Sequence, residues 1–347
     1  MMTKKVLIVI VNFNSSEYGG DCFYSLKKIN YPSDSYKILI IDNASTDNSL
    51  EFIRQNFSQF EIIRNNKNLG FASANNQGCS YALANNFDYI YLLNQDTVVT
   101  PNFLQVAVSV AESNQVIGAV QSKLLLPDGR INSLGNDLHY LGFGFCRDYK
   151  QADHRASAQT VEINFASAAG ALYRLSALKQ VGLFDQDFFL YHEDSDLSWR
   201  LKLAGYSVIL ALNSVVIHKY KFSHSVNAAY YLERNRYISL IKNYSGHTLL
   251  LILPAFIIWE LGSLIYSFLS GKIFFRLKIY KYFINFSNWK KIITKRNSVQ
   301  LLRRQPDRRV VKAFSGEIKF QENFNPLVDY LFNPLLNWYW QAVKFFI

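Results

Sequence analysis

The sequence has little cysteine: Cys22, Cys79 and Cys146 are the three in 347 residues, odd in number and far apart. Such usage excludes a disulfide framework and zinc-type ligand spacing, and it fits a reducing compartment. Acidic residues are in deficit, 26 against 37 lysines and arginines, leaving a formal charge of +11. A basic balance points to anionic partners such as nucleotides or phospholipid headgroups. The familiar phosphate fingerprints are missing. No Gly-Lys-Ser/Thr follows Gly70, which excludes a Walker loop, and the three-glycine dinucleotide spacing is absent. The first apolar run, residues 6–11, breaks at Asn12-Phe13-Asn14 with no small-residue cleavage site, so it reads as a strand and not as a secretory signal. Basic and aromatic residues interleave late in the chain without a recognised nucleic-acid-binding motif, so no nucleic acid partner is expected.

Half of the residues are apolar and 16% are aromatic, which excludes disorder over most of the length. Apolar runs at 6–11, 36–41, 61–64 and 89–93 alternate with helical stretches at 15–29, 50–57 and 72–85. This alternation predicts an α/β fold, a doubly wound, mostly parallel sheet with helices on both faces. Polar residues gather where the strands end: Asn12 and Asn14, Asp42 and Asn43, Asn65 to Gly70, and Asn94-Gln95-Asp96. Ligands of open α/β sheets bind outside the carboxyl ends of strands. Asp96 is therefore placed to hold a hard, oxygen-coordinated ion against a phosphate. Gly70 permits a tight turn, and the helix after it would aim free N–H groups at an anion; a plain turn with a helix cap satisfies the same residues.

Further on, Pro101 opens a helix to residue 112, Pro127-Asp128-Gly129-Arg130 makes a turn, and Gly135, Gly142 and Gly144 mark loops. The small residues 166–171 permit close backbone approach, to a ligand or to a packed element. A second acidic stretch, Tyr191-His192-Glu193-Asp194-Ser195-Asp196, leads into a helix over 196–204 closed by Gly205. Taken singly, Asp194 reads as an N-cap, Asp196 as a solvated ion pair with Arg200, and His218, after strands at 207–212 and 214–217, as a surface residue. A helix over 230–242 follows.

Residues 248–269 are nearly all apolar, broken by Pro254, Glu260 and Gly262. The run is long enough to cross a bilayer, although Glu260 near its middle costs about 2.5–3.5 kcal/mol on insertion scales. Lysines, arginines and aromatics crowd in from 272 to 296. We read this region as helices lying on an anionic membrane face, with packing on the catalytic domain or another subunit, and a true span, as the alternatives. The expected division is a catalytic domain over 1–245 and a helical, membrane-associating region over 246–347.

Five stretches in order, Val9-Ile10-Val11-Asn12-Phe13-Asn14, Ile41-Asp42-Asn43-Ala44-Ser45-Thr46-Asp47, Asn68-Leu69-Gly70-Phe71-Ala72, Leu93-Asn94-Gln95-Asp96 and 189–197, resemble inverting family 2 glycosyltransferases over roughly residues 5–240. The resemblance is to the bacterial rhamnosyltransferase-like branch that builds surface polysaccharides. It implies a GT-A fold, a nucleotide-diphosphate sugar donor (dTDP- or UDP-sugar) and Mg²⁺ or Mn²⁺. It implies that Asn12, Asn14 and Asp42 line the nucleoside pocket, with Asn68 and Gly70 beside it. Asn94 and Asp96 stand at the family's Asp-x-Asp position, where only Asp96 offers a carboxylate. Asp194 of the Glu193-Asp194 pair matches the usual base, His218 a histidine that completes the metal shell, and Arg234 part of an Arg-Asn pair. The implied acceptor is a lipid-linked saccharide, met at the cytoplasmic face of the inner membrane by a peripheral protein, with oligomers possible. Two other classes compete. A nucleotidyltransferase would show a glycine-rich basic loop directly after strand one, where Asn12-Phe13-Asn14-Ser15 stands. A non-catalytic membrane scaffold sits poorly with Asp42, Asp96, Glu193 and Asp194 all present.

Overall fold

A computed structural model describes residues 3–153, 160–220, 226–319 and 325–347. The first half follows the alternating pattern: β1 (Val6–Asn12), α1 (Gly19–Leu26), β2 (Tyr36–Asp42), α2 (Ser49–Asn56), β3 (Glu61–Arg64), α3 (Phe71–Ala84) and β4 (Tyr89–Asn94). These strands pair in parallel in the order β3-β2-β1-β4. The chain continues through β5 (Thr97–Val99), α4 (Phe103–Glu112), β6 (Ile117–Leu125), β7 (Ile131–Ser133), β8 (Asn136–Leu138), β9 (Gly144–Cys146) and β10 (Thr160–Glu162). Then come β11 (Gly170–Arg174), α5 (Leu175–Val181), α6 (Glu193–Leu203), β12 (Ser207–His218) and α7 (Val226–Asn243).

β11 inserts antiparallel between β4 and β6, and β6 pairs in parallel with β12, so the second half of the sheet is mixed. The segment before the Pro127–Arg130 turn is the nine-residue strand β6. The two strands expected over 207–217 are one strand with an irregularity between Ala211 and Val215.

Side chains alternate across the sheet. Leu7, Val9, Leu39, Ile41, Ile90 and Leu92 pack with α3, α5 and α6; Ile8, Ile10, Ile38, Ile40, Tyr91 and Leu93 pack with α1, α2 and α4. This parity continues past the strand ends and decides which polar residues face the site.

The remaining helices are α8 (Gly246–Leu269), α9 (Ile273–Ile284), α10 (Phe286–Leu302), α11 (Asp307–Val310) and α12 (Asn333–Val343). They do not stand apart at the expected boundary of 245/246. Leu138, Tyr140, Trp199 and Leu203 share one apolar core with Tyr244, Ile252, Trp259, Val299, Phe314 and Trp340. Tyr140 stacks on Trp340 at 4.6 Å, and Arg304 N donates to Leu203 O at 2.8 Å.

Thr248, Ile252, Ala255 and Trp259 form the buried stripe of α8, while Leu250, Leu261, Ile265, Phe268 and Leu269 are exposed. Glu260 is not stranded in apolar surroundings. It meets Arg236 at 3.2 Å and Arg276 at 3.4 Å, and Glu233 completes the network.

Candidate active site

A cavity of about 320 Å³ opens at the carboxyl ends of β1, β2 and β4. Val11, Asn43 and Asn94, on the α3 face of their strands, line it together with Asn68, Gly70 and Asp96. The expectation for Asn12, Asn14 and Asp42 meets the strand parity here. Asn12 and Asp42 are fully buried on the opposite face, and none of the three lines this cavity. Asn12 Nδ2 donates to Asp42 Oδ1 at 2.9 Å and to Ser49 Oγ at 3.0 Å. Asn14, with φ of 51°, accepts from Thr46 N at 2.8 Å and so ties two loops together. The three residues brace the strand ends from beneath.

Asn43, which the sequence reading did not single out as a site residue, is the hub of the cavity wall. It donates to Asn68 Oδ1 at 2.8 Å and accepts from Leu69 N at 3.0 Å and Asn65 Nδ2 at 3.1 Å. Its neighbour Asp42 is the better-known residue type for a site; only the alternation of β2 tells the two apart.

Gly70 has φ of 82°, and a Cβ there would lie 2.5 Å from Phe189 Cδ2. The first N–H of α3 is already engaged within the protein. Phe71 N donates to Phe189 O at 2.7 Å, so a protein carbonyl takes the place foreseen for an anion. Gln95 is likewise occupied, accepting from Phe13 N at 2.7 Å and donating to Phe13 O at 3.0 Å. That clasp fixes the turn that presents Asp96.

Asp96 Oδ1 lies 3.3 Å from His218 Nε2. β5 pairs antiparallel with the end of β12, and Lys219 N donates to Asp96 O at 2.8 Å, which holds the two side chains together. His218 Nδ1 donates to Asn132 Oδ1 at 2.9 Å. With Nδ1 engaged, Nε2 faces a carboxylate oxygen, and a cation fits between them. Two ligands about 2.1 Å from an octahedral ion, at right angles, lie roughly 3.0 Å apart, close to the observed separation. Among the described residues no cluster of three His, Cys, Asp or Glu side chains forms.

α6 begins at Glu193, three residues earlier than the sequence suggests, with His192 in the left-handed region as its N-cap in place of Asp194. Asp194 therefore sits in the first turn, accepting from Ser195 N at 2.7 Å and from Ala168 N at 3.4 Å. Asn94 N donates to Ala169 O at 3.1 Å. The small residues 167–169 thus separate the acidic turn from the end of β4, and their lack of bulk is what permits the approach. Burial pushes the Asp194 carboxyl up from the ordinary range, and burial together with the Asp194 charge pushes Glu193 up. Glu193 is buried, with Oε2 lacking a hydrogen-bond partner. Asp196 is not solvated: it pairs with Arg200 at 3.0 Å and Lys242 at 3.1 Å, with Asn243 donating at 3.0 Å.

Phe189, Tyr191 and His192 all have φ between 60° and 68°. Three left-handed non-glycine residues so close together cost energy that the surroundings must offset. The Arg-Asn pair on α7 does so. Asn235 Nδ2 donates to the carbonyls of Phe188, Leu190 and Tyr191 at 2.8–2.9 Å, and Arg234 reaches Asp187 O and Phe188 O. Sequence reasoning named Arg234 without a role; the structure makes the pair a clamp on the strained turn that leads into Glu193-Asp194.

The described architecture agrees with comparisons against known proteins. The family model described as "Glycosyl transferase family 2" matches residues 7–182, just over half of the chain. An N-acetylglucosaminyl-diphospho-decaprenol L-rhamnosyltransferase of Mycobacterium tuberculosis (strain CDC 1551 / Oshkosh) is 25% identical over 234 residues, 60% of this chain and 76% of the relative. A poly-beta-1,6-N-acetyl-D-glucosamine synthase of Staphylococcus epidermidis is 28% identical over 207 residues, 58% of this chain but 47% of that protein. The crystal structure of GalNAc-T7 with UDP, GalNAc and Mn²⁺ shares the fold, with a TM-score of 0.60 at 15% identity, over 81% of this chain and 56% of that one.

Proposed function

Since the chain belongs to glycosyl transferase family 2 and is a glycosyltransferase, we propose that it moves a sugar, rhamnose-like by preference, from a dTDP- or UDP-linked donor to a hydroxyl of a lipid-linked saccharide, with inversion. The observation that carries the reading is the Asp96–His218 pair at the cavity mouth, with Asp194 across the 167–169 turn. The M. tuberculosis relative's name, which specifies a diphospho-decaprenol substrate and a rhamnosyl product, supports the acceptor class and the sugar. The proposed setting is the cytoplasmic face of the plasma membrane, with the exposed apolar face of α8 and the basic residues after it against anionic lipid.

In the proposed reaction the sugar C1–oxygen bond to the diphosphate breaks and the nucleoside diphosphate leaves with the electron pair. The acceptor oxygen forms the new C1–oxygen bond from the opposite face. Its proton passes to an Asp194 oxygen, a transfer typically worth ~10²–10⁴-fold. Asp96 and His218 would hold Mn²⁺ or Mg²⁺, which supplies charge neutralisation at the leaving diphosphate. Asn43 orders the 65–70 loop around the nucleoside. Arg234 and Asn235 hold the turn that aims Asp194. A single displacement needs one base, whereas a retaining hydrolase needs two carboxyl groups about 5–5.5 Å apart.

The test is thermal-shift screening with UDP-, dTDP- and GDP-sugars plus metal, followed by release of nucleoside diphosphate with a polyprenyl-diphosphate saccharide. Acceptor-dependent release is expected. Pyrophosphate release, or no reaction with any donor, overturns the reading.

A further inference from the structure

A second cavity, of about 600 Å³, lies between α7, α8, α9 and the segment before α12. Its wall is apolar: Phe143, Leu232, Trp259, Tyr266, Phe275 and Phe332 contribute to it. The volume is in the range of about 300–1,000 Å³ usual for ligand sites. Lys272 also lines the cavity, a cation outside the network in which Arg236 and Arg276 balance Glu233 and Glu260. A mostly apolar cleft with surplus positive charge in its wall matches a ligand with a hydrocarbon chain and an anionic head.

The position matters as much as the lining. Leu232 and Glu233 of α7 face this cavity, while the next residues, Arg234 and Asn235, clamp the turn before Glu193-Asp194. Tyr231 stacks on Phe189 at 5.1 Å, above Gly70. One helix therefore has the cavity on one side and the catalytic turn on the other. The cavity also borders the exposed apolar end of α8, where Tyr266 is 52% exposed, and the start of α9, where Phe274 is 79% exposed.

We propose that this α7–α8–α9 cavity binds the isoprenoid chain of a polyprenyl-diphosphate acceptor, with Lys272 and Arg276 toward its diphosphate, so that the saccharide is delivered to Asp194. The proposal rests on the transferase reading above and adds where the lipid goes. It differs from general lipid docking, since a cleft between helices with cations in its wall selects for chain and head together, whereas the outer face of α8 does not.

The experiment uses the full chain and two acceptors with the same saccharide, one on farnesyl diphosphate and one on methyl diphosphate. Ser263 lines the cavity and is changed to Trp to fill it; Leu232→Ala, which enlarges it, is the companion should Ser263→Trp fail to fold, as judged by thermal melting. For wild type we expect kcat/KM to favour the farnesyl acceptor at least tenfold. In Ser263→Trp this preference should fall by at least tenfold, and in Leu232→Ala by at least threefold. Farnesyl phosphate should also alter the fluorescence of wild type and not of Trp259→Phe, reporting chain binding without turnover. Equal use of both acceptors by wild type, or an unchanged preference in folded variants, overturns the proposal while leaving the transferase reading intact. Loss of Ser263→Trp binding to phosphatidylglycerol vesicles with the acceptor preference unchanged also overturns it, in favour of bulk lipid. No transfer to either acceptor by wild type, with farnesyl phosphate binding retained, instead counts against the transferase reading alone.

Discussion

Asp96 Oδ1 and His218 Nε2 stand 3.3 Å apart because the antiparallel pairing of β5 with the end of β12 brings together residues more than a hundred positions apart. Asn132 fixes the other ring nitrogen at 2.9 Å. Asp96→Asn keeps the volume and removes the anionic ligand, so transfer should fall at least ~10²-fold. Asn132→Leu should weaken Mn²⁺ binding about 10–100-fold through loss of the ring's anchor. Electron paramagnetic titration of Mn²⁺ with UDP present measures the second directly; unchanged affinity would show that Asn132 does not position the ring.

Glu193 and Asp194 supply the pH dependence. Burial holds both carboxyls above the ordinary range, so each keeps its proton to higher pH in the folded chain than in the unfolded one. For such a group the stabilising contribution is complete below the unfolded pKa of about 4.3 and is lost as pH rises through the folded pKa. Glu193→Gln mimics the protonated form at every pH. Its melting temperature relative to wild type should therefore climb between about pH 4 and pH 8. A constant offset would show that Glu193 does not titrate in that window.

The clamp on the strained turn predicts a separation of rate from donor binding. Asn235→Ala leaves the carbonyls of Phe188, Leu190 and Tyr191 without their shared donor. We expect kcat to fall at least ~10-fold through misplacement of Asp194, with donor affinity changing far less. Calorimetry with the nucleotide beside steady-state kinetics checks this. Parallel loss of both would make Asn235 a general fold residue.

How the sequence carried this site follows from particular residues. The strand–helix alternation of residues 6–94 is a local pattern, and it located the parallel half of the sheet and its carboxyl ends. The resemblance put Asn12 and Asp42 in the nucleoside pocket, whereas counting back to Ile10 and Ile40 puts that pair on the α1–α2 face, opposite the cavity lined by Val11 and Asn43. Glu260 looked costly because its partner Arg236 is twenty-four residues earlier and becomes a neighbour only through the packing of α7 and α8. The capture of Phe71 N by Phe189 O is equally non-local. No local pattern in the sequence marks either contact.

The C-terminal helices call for a different test of membrane association than deletion. Truncation near residue 247 would uncover Trp199, Tyr140 and Leu203, which share their core with Trp340 and Phe314, so the truncated chain should aggregate whether or not the tail touches lipid. Surface substitution avoids this. Phe268 and Leu269 are 71% and 77% exposed at the end of α8, and Phe268→Ser with Leu269→Ser removes apolar area without opening the core. The full chain should bind phosphatidylglycerol vesicles at low salt and release as salt rises, because the attraction between lysines and headgroups falls off within a Debye length. The double variant should bind at least about fivefold more weakly, on the scale of burying two apolar side chains in an interface, with its melting temperature kept. Failure of the wild-type chain to bind at low salt would leave that exposed face to a second copy of the chain, which sedimentation would then reveal as a stable oligomer.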